Sequence, residues 1–182
     1  MSGSRTHRAA HLTRRFFGTL RPGGPSERDA AWVAEVLEPD ELALWSQLPS
    51  YDRRHAVGVA RRVEQLLAGT EHAGERQWLE AALLHDVGKL DAGFGPFRRV
   101  GATLAGAAGG RDMADLWSQK RGVTRRVGLY LRHPELGATR IRLAGGSDES
   151  ARWAAAHHDD DPHAKSGLPR VVVDALCAAD DD

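Results

Sequence analysis

Apolar residues recur at three- and four-residue intervals through most of the chain, the spacing of helices that bury one face. Ser26, with Asp29 three residues on, starts the first such pattern, which runs through Trp32, Val33 and Val36. Pro39-Asp40 restarts the chain into a short helix around Leu42 to Trp45. A stronger helix is predicted from about Asp52 to Leu67, with His55, Val59, Val63, Leu66 and Leu67 on its inner face and Gly69 closing it. Another runs from about Glu75 through Trp78, Leu79 and Leu83 into His85, ended by Gly88. Helices near Ala114 to Gln119 and Val123 to Arg132 follow, then one led by Pro134 through Leu143 and stopped by Gly145-Gly146. Ser147 caps a helix through Trp153 to His158, and Pro169 opens the last, Val171 to about Asp180. No stretch alternates apolar and polar residues between hairpin turns, and Val171-Val172-Val173 is too short to outweigh its helical frame. The expectation is an all-α fold with no fixed repeat.

Two stretches depart from this pattern. Residues 91–110 are rich in Gly and Ala, and Phe94, Phe97, Val100 and Leu104 fit one face of a short helix or a lid. Residues 1–26 contain no acid but carry Arg5, Arg8, Arg14, Arg15 and Arg21, with Leu12, Phe16 and Leu20 forming a narrow apolar stripe. Pro22-Gly23-Gly24-Pro25 then breaks regular structure. Residues 1–25 therefore read as a short N-terminal extension. It is either a basic amphipathic helix that touches a membrane surface or partner through residues 7–20, or a loose tail folded back on the body. Residues 26–182 read as one helical domain.

Charge and cysteine content narrow the function. Twenty-five Lys and Arg balance 25 Asp and Glu, so bulk charge gives no strong nucleic-acid signal. A single cysteine, Cys177, excludes an intramolecular disulfide and a cysteine-based zinc site, and it reads as a core residue. No apolar run approaches the roughly 18 residues of a membrane span, and no signal peptide opens the chain. A cytoplasmic protein is expected. The oligomeric state is left open.

Histidine is where the composition becomes specific, with nine in 182 residues. His55 lies early in a helix, His85 at a helix end followed by Asp86, His133 before Pro134, and His157-His158 side by side. Neutral imidazole with carboxylate is the usual donor set for Mn²⁺, Fe²⁺, Zn²⁺ and their neighbours, and a set drawn from several helices suits a site inside a bundle. Asp86 follows His85 directly, so the two side chains point about 100° apart, and a bridging carboxylate there lets one helix end serve two ions. Lys89, three residues past Asp86, shares its face and offers an ammonium to a phosphate. His7, His11, His72 and His163 read as surface or tail residues.

The order His55, His85-Asp86, His133, His157-His158, Asp180 resembles the H…HD…H…H…D signature of the HD-domain superfamily of metal-dependent phosphohydrolases. The strings RRHAVGVARRVEQLL, AALLHDVGKL, RHPELGA, WAAAHHDD and ALCAADDD match locally, and the resemblance covers about residues 50–182. It implies an all-α bundle. It also implies His55, His85, Asp86 and Asp180 around a first divalent metal, with Asp86 bridging to a second held by His133 and one or both of His157 and His158. Asp174 and Asp181 are the alternatives to Asp180. The metals implied are Mn²⁺ or Fe²⁺ first, with Mg²⁺, Co²⁺, Ni²⁺ or Zn²⁺ as alternatives. The paired histidines are similar to the HD-GYP subgroup, but His157-His158 is followed here by Asp159-Asp160-Asp161-Pro162 in place of that subgroup's continuation, so a cyclic-di-GMP substrate is not implied. Tyr51 stands where some of that subgroup carry a third-metal Glu, so two metals at most are expected.

What the resemblance implies is hydrolysis of a phosphate ester, with a nucleotide as the small phosphorylated substrate. Two cations about 3.5–4 Å apart generate hydroxide at neutral pH, and that metal-bound hydroxide attacks phosphorus in line. Asp86 and Lys89 are the catalytic residues of this reading. Lys89 neutralises developing charge, and Arg54, next to His55, is a candidate phosphate clamp whose alternative is a solvated surface role. Two other classes use the same ligands: a di-iron HD-domain oxygenase, as in myo-inositol oxygenase, and a non-catalytic metal-holding signalling or interaction module.

Overall fold

The computed structural model describes residues 23–93 and 113–181, and among them there is no strand. Helix α1 (Glu27–Val36) begins where Ser26 accepts the backbone N–H of Asp29 at 3.1 Å, satisfying one of the donors a helix start leaves open. Helix α2 (Pro39–Ser46) starts with a reciprocal capping box between Glu38 and Glu41. Helix α3 (Ser50–Leu67) packs its stripe of Val59, Val63 and Leu67 inward, and Gly69 turns the chain away with φ +83°. Helix α4 (Arg76–Leu84) is followed by a 3₁₀ turn, Val87–Asp91. After residues 113–118, which are helical, come α5 (Gly122–Leu131), α6 (His133–Leu143), α7 (Asp148–Ala156), α8 (Pro162–Ser166) and α9 (Arg170–Asp180).

One continuous core draws on α1, α2, α3, α4, α6, α7 and α9. Val33, Trp45, Val63, Leu83, Leu84, Ile141, Trp153, Val172, Val173 and Leu176 are fully or almost fully buried in it. Each such side chain contributes roughly 1.5–3 kcal/mol by leaving water. Helix α3 packs against α4 and α9, α4 against α7, and α7 against α6. The ends of these helices therefore meet, which matters for the histidines below. Helix α5 stands apart from this core and packs Val127, Leu129 and Tyr130 around Ala92 instead. No helix among the described residues is long and apolar enough to cross a membrane.

The all-helical expectation holds, and three local readings change. Helix α4 ends at Leu84, not at Gly88, and the chain tightens into the 3₁₀ turn with Asp86 at φ −102°, ψ 4°. Gly88 is not a left-handed stop, since it is not among the positive-φ residues. Its missing side chain serves a close approach described below. The helix after Ser147 stops at Ala156, and α8, which the sequence pattern did not suggest, is capped by Asp161 accepting the N–H of Ala164 at 3.0 Å. His72 and His163 are half-buried, not surface residues: His72 packs edge-on against Trp78, and His163 Nε2 lies 3.1 Å from Asp174. The amphipathic reading of residues 7–20, together with His7 and His11, lies outside the described residues. So does the helix-or-lid reading of 94–110.

Candidate metal centre

Each histidine of the pattern sits at or near a helix end. His55 is in the second turn of α3, His85 caps α4, His133 opens α6, His157 caps α7 with His158 after it, and Asp180 is the last residue of α9. Because these helices converge, residues as far apart as 55 and 180 touch, with His55 Nε2 2.9 Å from Asp180 Oδ1. Two groups form. His55, His85 and Asp180 bring one donor atom each within 4.8 Å of one another, and so do Asp86, His133, His157 and His158.

Asp86 joins the two groups. Its Oδ1 lies 3.6 Å from His133 Nε2 and 3.5 Å from His157 Nε2, while its Oδ2 lies 3.5 Å from His85 Nε2 and pairs with the Lys89 ammonium. His85 Nε2 is also 3.6 Å from Asp180 Oδ1. These nitrogen–oxygen separations are too long for good hydrogen bonds. They match two ligands of one ion, since donors about 2.1 Å from a metal stand roughly 3–3.5 Å apart at ordinary angles.

The imidazoles are aimed by their other nitrogen. His85 Nδ1 meets the carbonyl of Ala82 at 2.8 Å, His133 Nδ1 that of Tyr130 at 2.7 Å, and His157 Nδ1 that of Ala154 at 2.8 Å. In each case the acceptor is three residues earlier, so the Nδ1–H donates to the preceding helical turn and Nε2 turns a lone pair toward the cluster. The Nε2 atoms of His85, His133 and His157 are buried and make no hydrogen bond. Three buried nitrogens left so, side by side, carry a desolvation cost that a bound cation removes. The donor set fits a divalent transition metal.

The charge states of Asp86, His133 and His157 agree with this. Burial pushes the Asp86 carboxyl up, but Lys89 and the imidazoles of His85, His157 and His133 together hold it well below the usual carboxylate range. Burial, reinforced by Lys89, pushes His133 well below the ordinary imidazole value, and burial also lowers His157 against the pull of Asp86. For His85 burial pulls down, yet Asp86 and Asp180 outweigh it and the ring ends raised. An ionised Asp86 beside His133 and His157 held neutral is the form that binds a cation, while His85 gives up a proton on joining it.

Of the sequence-predicted residues, His55, His85, Asp86, His133, His157, His158 and Asp180 come together. Of the histidine pair, His157 reaches Asp86, and His158, exposed, stays in the same group with its ring 4.0 Å from that of His157 and 5.0 Å from that of His133. Asp174 is elsewhere, with His163 and Arg170, and Asp181 caps α9. Lys89 is buried rather than solvent-facing, with its ammonium on Asp86. Arg54 donates to the backbone carbonyl of Gly23. Cys177 is half-buried with its thiol pushed up to about 11 by burial, as a core residue and not a nucleophile.

Sequence reading missed the scaffold under the site. A Cβ at Gly88 would stand 1.9 Å from the carbonyl oxygen of His133 and 2.6 Å from the N–H nitrogen of Gly137. The 3₁₀ turn thus lies backbone to backbone on the first turns of α6, which sets His133 beside Asp86. Arg140 clamps the same junction with Nε and Nη2 at 2.8 and 2.9 Å from the two carboxylate oxygens of Asp91. Gly88→Ala is expected to push the turn off α6 and cost about 1–3 kcal/mol by overpacking. Calorimetric melting with a metal titration checks this, and an unchanged midpoint with unchanged metal affinity would contradict it.

No family model, curated protein or solved structure matches this chain.

Proposed function

We propose that the chain is a metal-dependent phosphohydrolase of the HD-domain type that cleaves a small phosphate ester, a nucleotide being the substrate class in view. The observation that carries the reading is the junction at Asp86. One ionised carboxylate faces an imidazole of each ligand group, with a buried ammonium beside it. In this reading His55, His85 and Asp180 hold one ion, His133, His157 and His158 hold the other, Asp86 serves both, and Mn²⁺ or Fe²⁺ suits the donors. Such a pair, when bound, supplies Lewis acidity toward phosphate oxygens and hydroxide at neutral pH.

The remaining work falls to the chain itself. The preceding helical turns fix the rings through their carbonyls, so the site needs little reorganisation when charge develops. Lys89 has donors and no lone pair while protonated, so it can meet an anionic oxygen but not a cation. That ammonium favours hydrolysis of a phosphate ester over the oxygenase and binding-module readings of the same ligands. Arg54, beside His55 but bonded to the Gly23 carbonyl, stays only a candidate phosphate contact, and a cytoplasmic location is part of the proposal.

Purified protein reconstituted with Mn²⁺ or Fe²⁺ and screened against phosphomonoesters, nucleotides and cyclic dinucleotides tests it. Release of inorganic phosphate or of a nucleoside monophosphate is expected. Oxygen consumption without hydrolysis would transfer the site to the oxygenase class, and metal-loaded protein inert toward every ester would leave a binding module.

A further inference from the structure

Lys89 occupies the wrong oxygen for two ions to bind independently. Asp86 Oδ1 faces His133 and His157, but Oδ2, the oxygen toward His85, already carries the Lys89 ammonium. Both partners are almost completely buried, at 7% and 4% side-chain exposure, so water screens neither. The two ligand groups are therefore unequal. Asp86 Oδ1, His133, His157 and His158 form a set that needs nothing from Oδ2, whereas His55, His85 and Asp180 offer three donors and need Oδ2 for a fourth.

Charge count points the same way. With the imidazoles neutral, Asp86, Asp180 and Lys89 leave this lining at a net charge of −1. One divalent cation brings it to +1 and two bring it to +3, with the buried Lys89 ammonium a near neighbour of the second ion. An oxyanion removes both obstacles at once. It lowers the net charge, and its oxygen is a partner that can draw the Lys89 ammonium off Oδ2.

We propose that Lys89 is an anion-responsive latch on Asp86. It holds Oδ2 in the free protein, so that the His133–His157 set fills first, and it yields Oδ2 to the His55–His85–Asp180 set when a phosphate-type oxyanion arrives. This rests on the metal-centre reading above. By linkage, the anion tightens the second ion and the second ion tightens the anion by the same factor.

Mn²⁺ binding followed by calorimetry and by the exchange-coupled electron paramagnetic resonance signal tests the latch, with and without inorganic phosphate and with no turnover required. The expected wild-type result is one ion bound at least about tenfold more tightly than the other in the absence of phosphate, a gap that phosphate largely closes. Lys89→Met, which keeps the stem and removes the charge, is expected to bind the second ion tightly without phosphate and to gain little from it. Lys89→Gln keeps a donor near Oδ2 without the charge and is expected to behave alike if the methionine variant does not fold. Equal binding of two ions by phosphate-free wild type overturns the latch. So does a phosphate effect that is as large in the Lys89 variants as in wild type, because phosphate is then bridging the ions by itself. Failure to bind any Mn²⁺ overturns the metal-centre reading itself, and is distinguishable from either result.

Discussion

Asp86→Ala is expected to strip both ions from the protein and to lower hydrolysis by at least about 10³-fold, the scale of removing a principal electrostatic stabiliser. Asp86 stands between the two groups: its two oxygens lie 3.5–3.6 Å from the Nε2 atoms of His85, His133 and His157. Removing it also strands the Lys89 ammonium in a dry site, where it repels any cation offered to the remaining donors. Folding has to be separated from function, because an uncompensated buried charge is itself destabilising. The double variant Asp86→Asn with Lys89→Met removes both charges and keeps the shape, so it is expected to fold while still failing to bind metal. His72→Ala is the matched control. His72 is tucked between Glu75 and Trp78 away from the cluster, so its loss is expected to cost modest stability and to leave metal content unchanged. If the Asp86 and His72 variants hold metal equally well, the junction has been assigned to the wrong residue.

The second large effect lies in the scaffold. Arg76 donates from Nε to the carbonyl of Val36 at 2.7 Å, pairs through Nη2 with Glu41, and reaches Glu80 through Nη1 at 3.3 Å. Both carboxylates have fully buried side chains, and Glu80 also accepts the N–H and hydroxyl of Ser147 at the start of α7. One guanidinium thus ties α1, α2 and α4 together, and Glu80 carries the tie to the helix that ends at His157. Arg76→Met is expected to cost about 2–4 kcal/mol. That is cut below the roughly 3–5 kcal/mol of breaking a fully buried pair, because the Arg76 side chain is 41% exposed.

The deficit should depend on pH with a definite sign. Burial chiefly raises the Glu41 carboxyl above its ordinary 4.5, with the backbone N–H of Glu38 and the charge of Arg76 opposing. Loss of Arg76 raises it further. The folded variant then holds a proton that the unfolded chain releases, so its stability is lost as pH rises through the folded value and is recovered as pH falls toward 4.5. Urea denaturation across pH 5–8 checks this, and a deficit that grows on acidification would contradict it. Arg76→Lys, with the charge but not the fork, should fall between the two.

The helices were legible because apolar spacing and capping chemistry are local. Ser26, Gly69 and Ser147 act within a few residues of themselves, and the structure finds them where the pattern put them. The ligands were legible because their residue types are unusual at helix ends. Their grouping came only from the resemblance, since nothing local tells His55 that Asp180 will lie 2.9 Å away. The scaffold was least legible of all. Gly88 read as a helix stop because glycine most often marks a turn, whereas its role is set by the carbonyl of a residue 45 positions later. Nothing in the sequence pattern singles out Glu41, Glu80 or Arg76, since burial of an ion pair is decided by which helices meet. The carbonyls of Ala82, Tyr130 and Ala154 that aim the rings carry no side-chain signal whatever.

On the proposed function this cluster of histidines and aspartates is a two-ion metal centre. Elemental analysis of protein purified without oxygen, supplied with Mn²⁺ or Fe²⁺ in the presence of inorganic phosphate and freed of loose metal, tests it most directly. Two ions per chain are expected, falling to none in Asp86→Ala and staying at two in His72→Ala. A wild-type chain that remains metal-free, or that holds a single ion weakly under the same conditions, would contradict it.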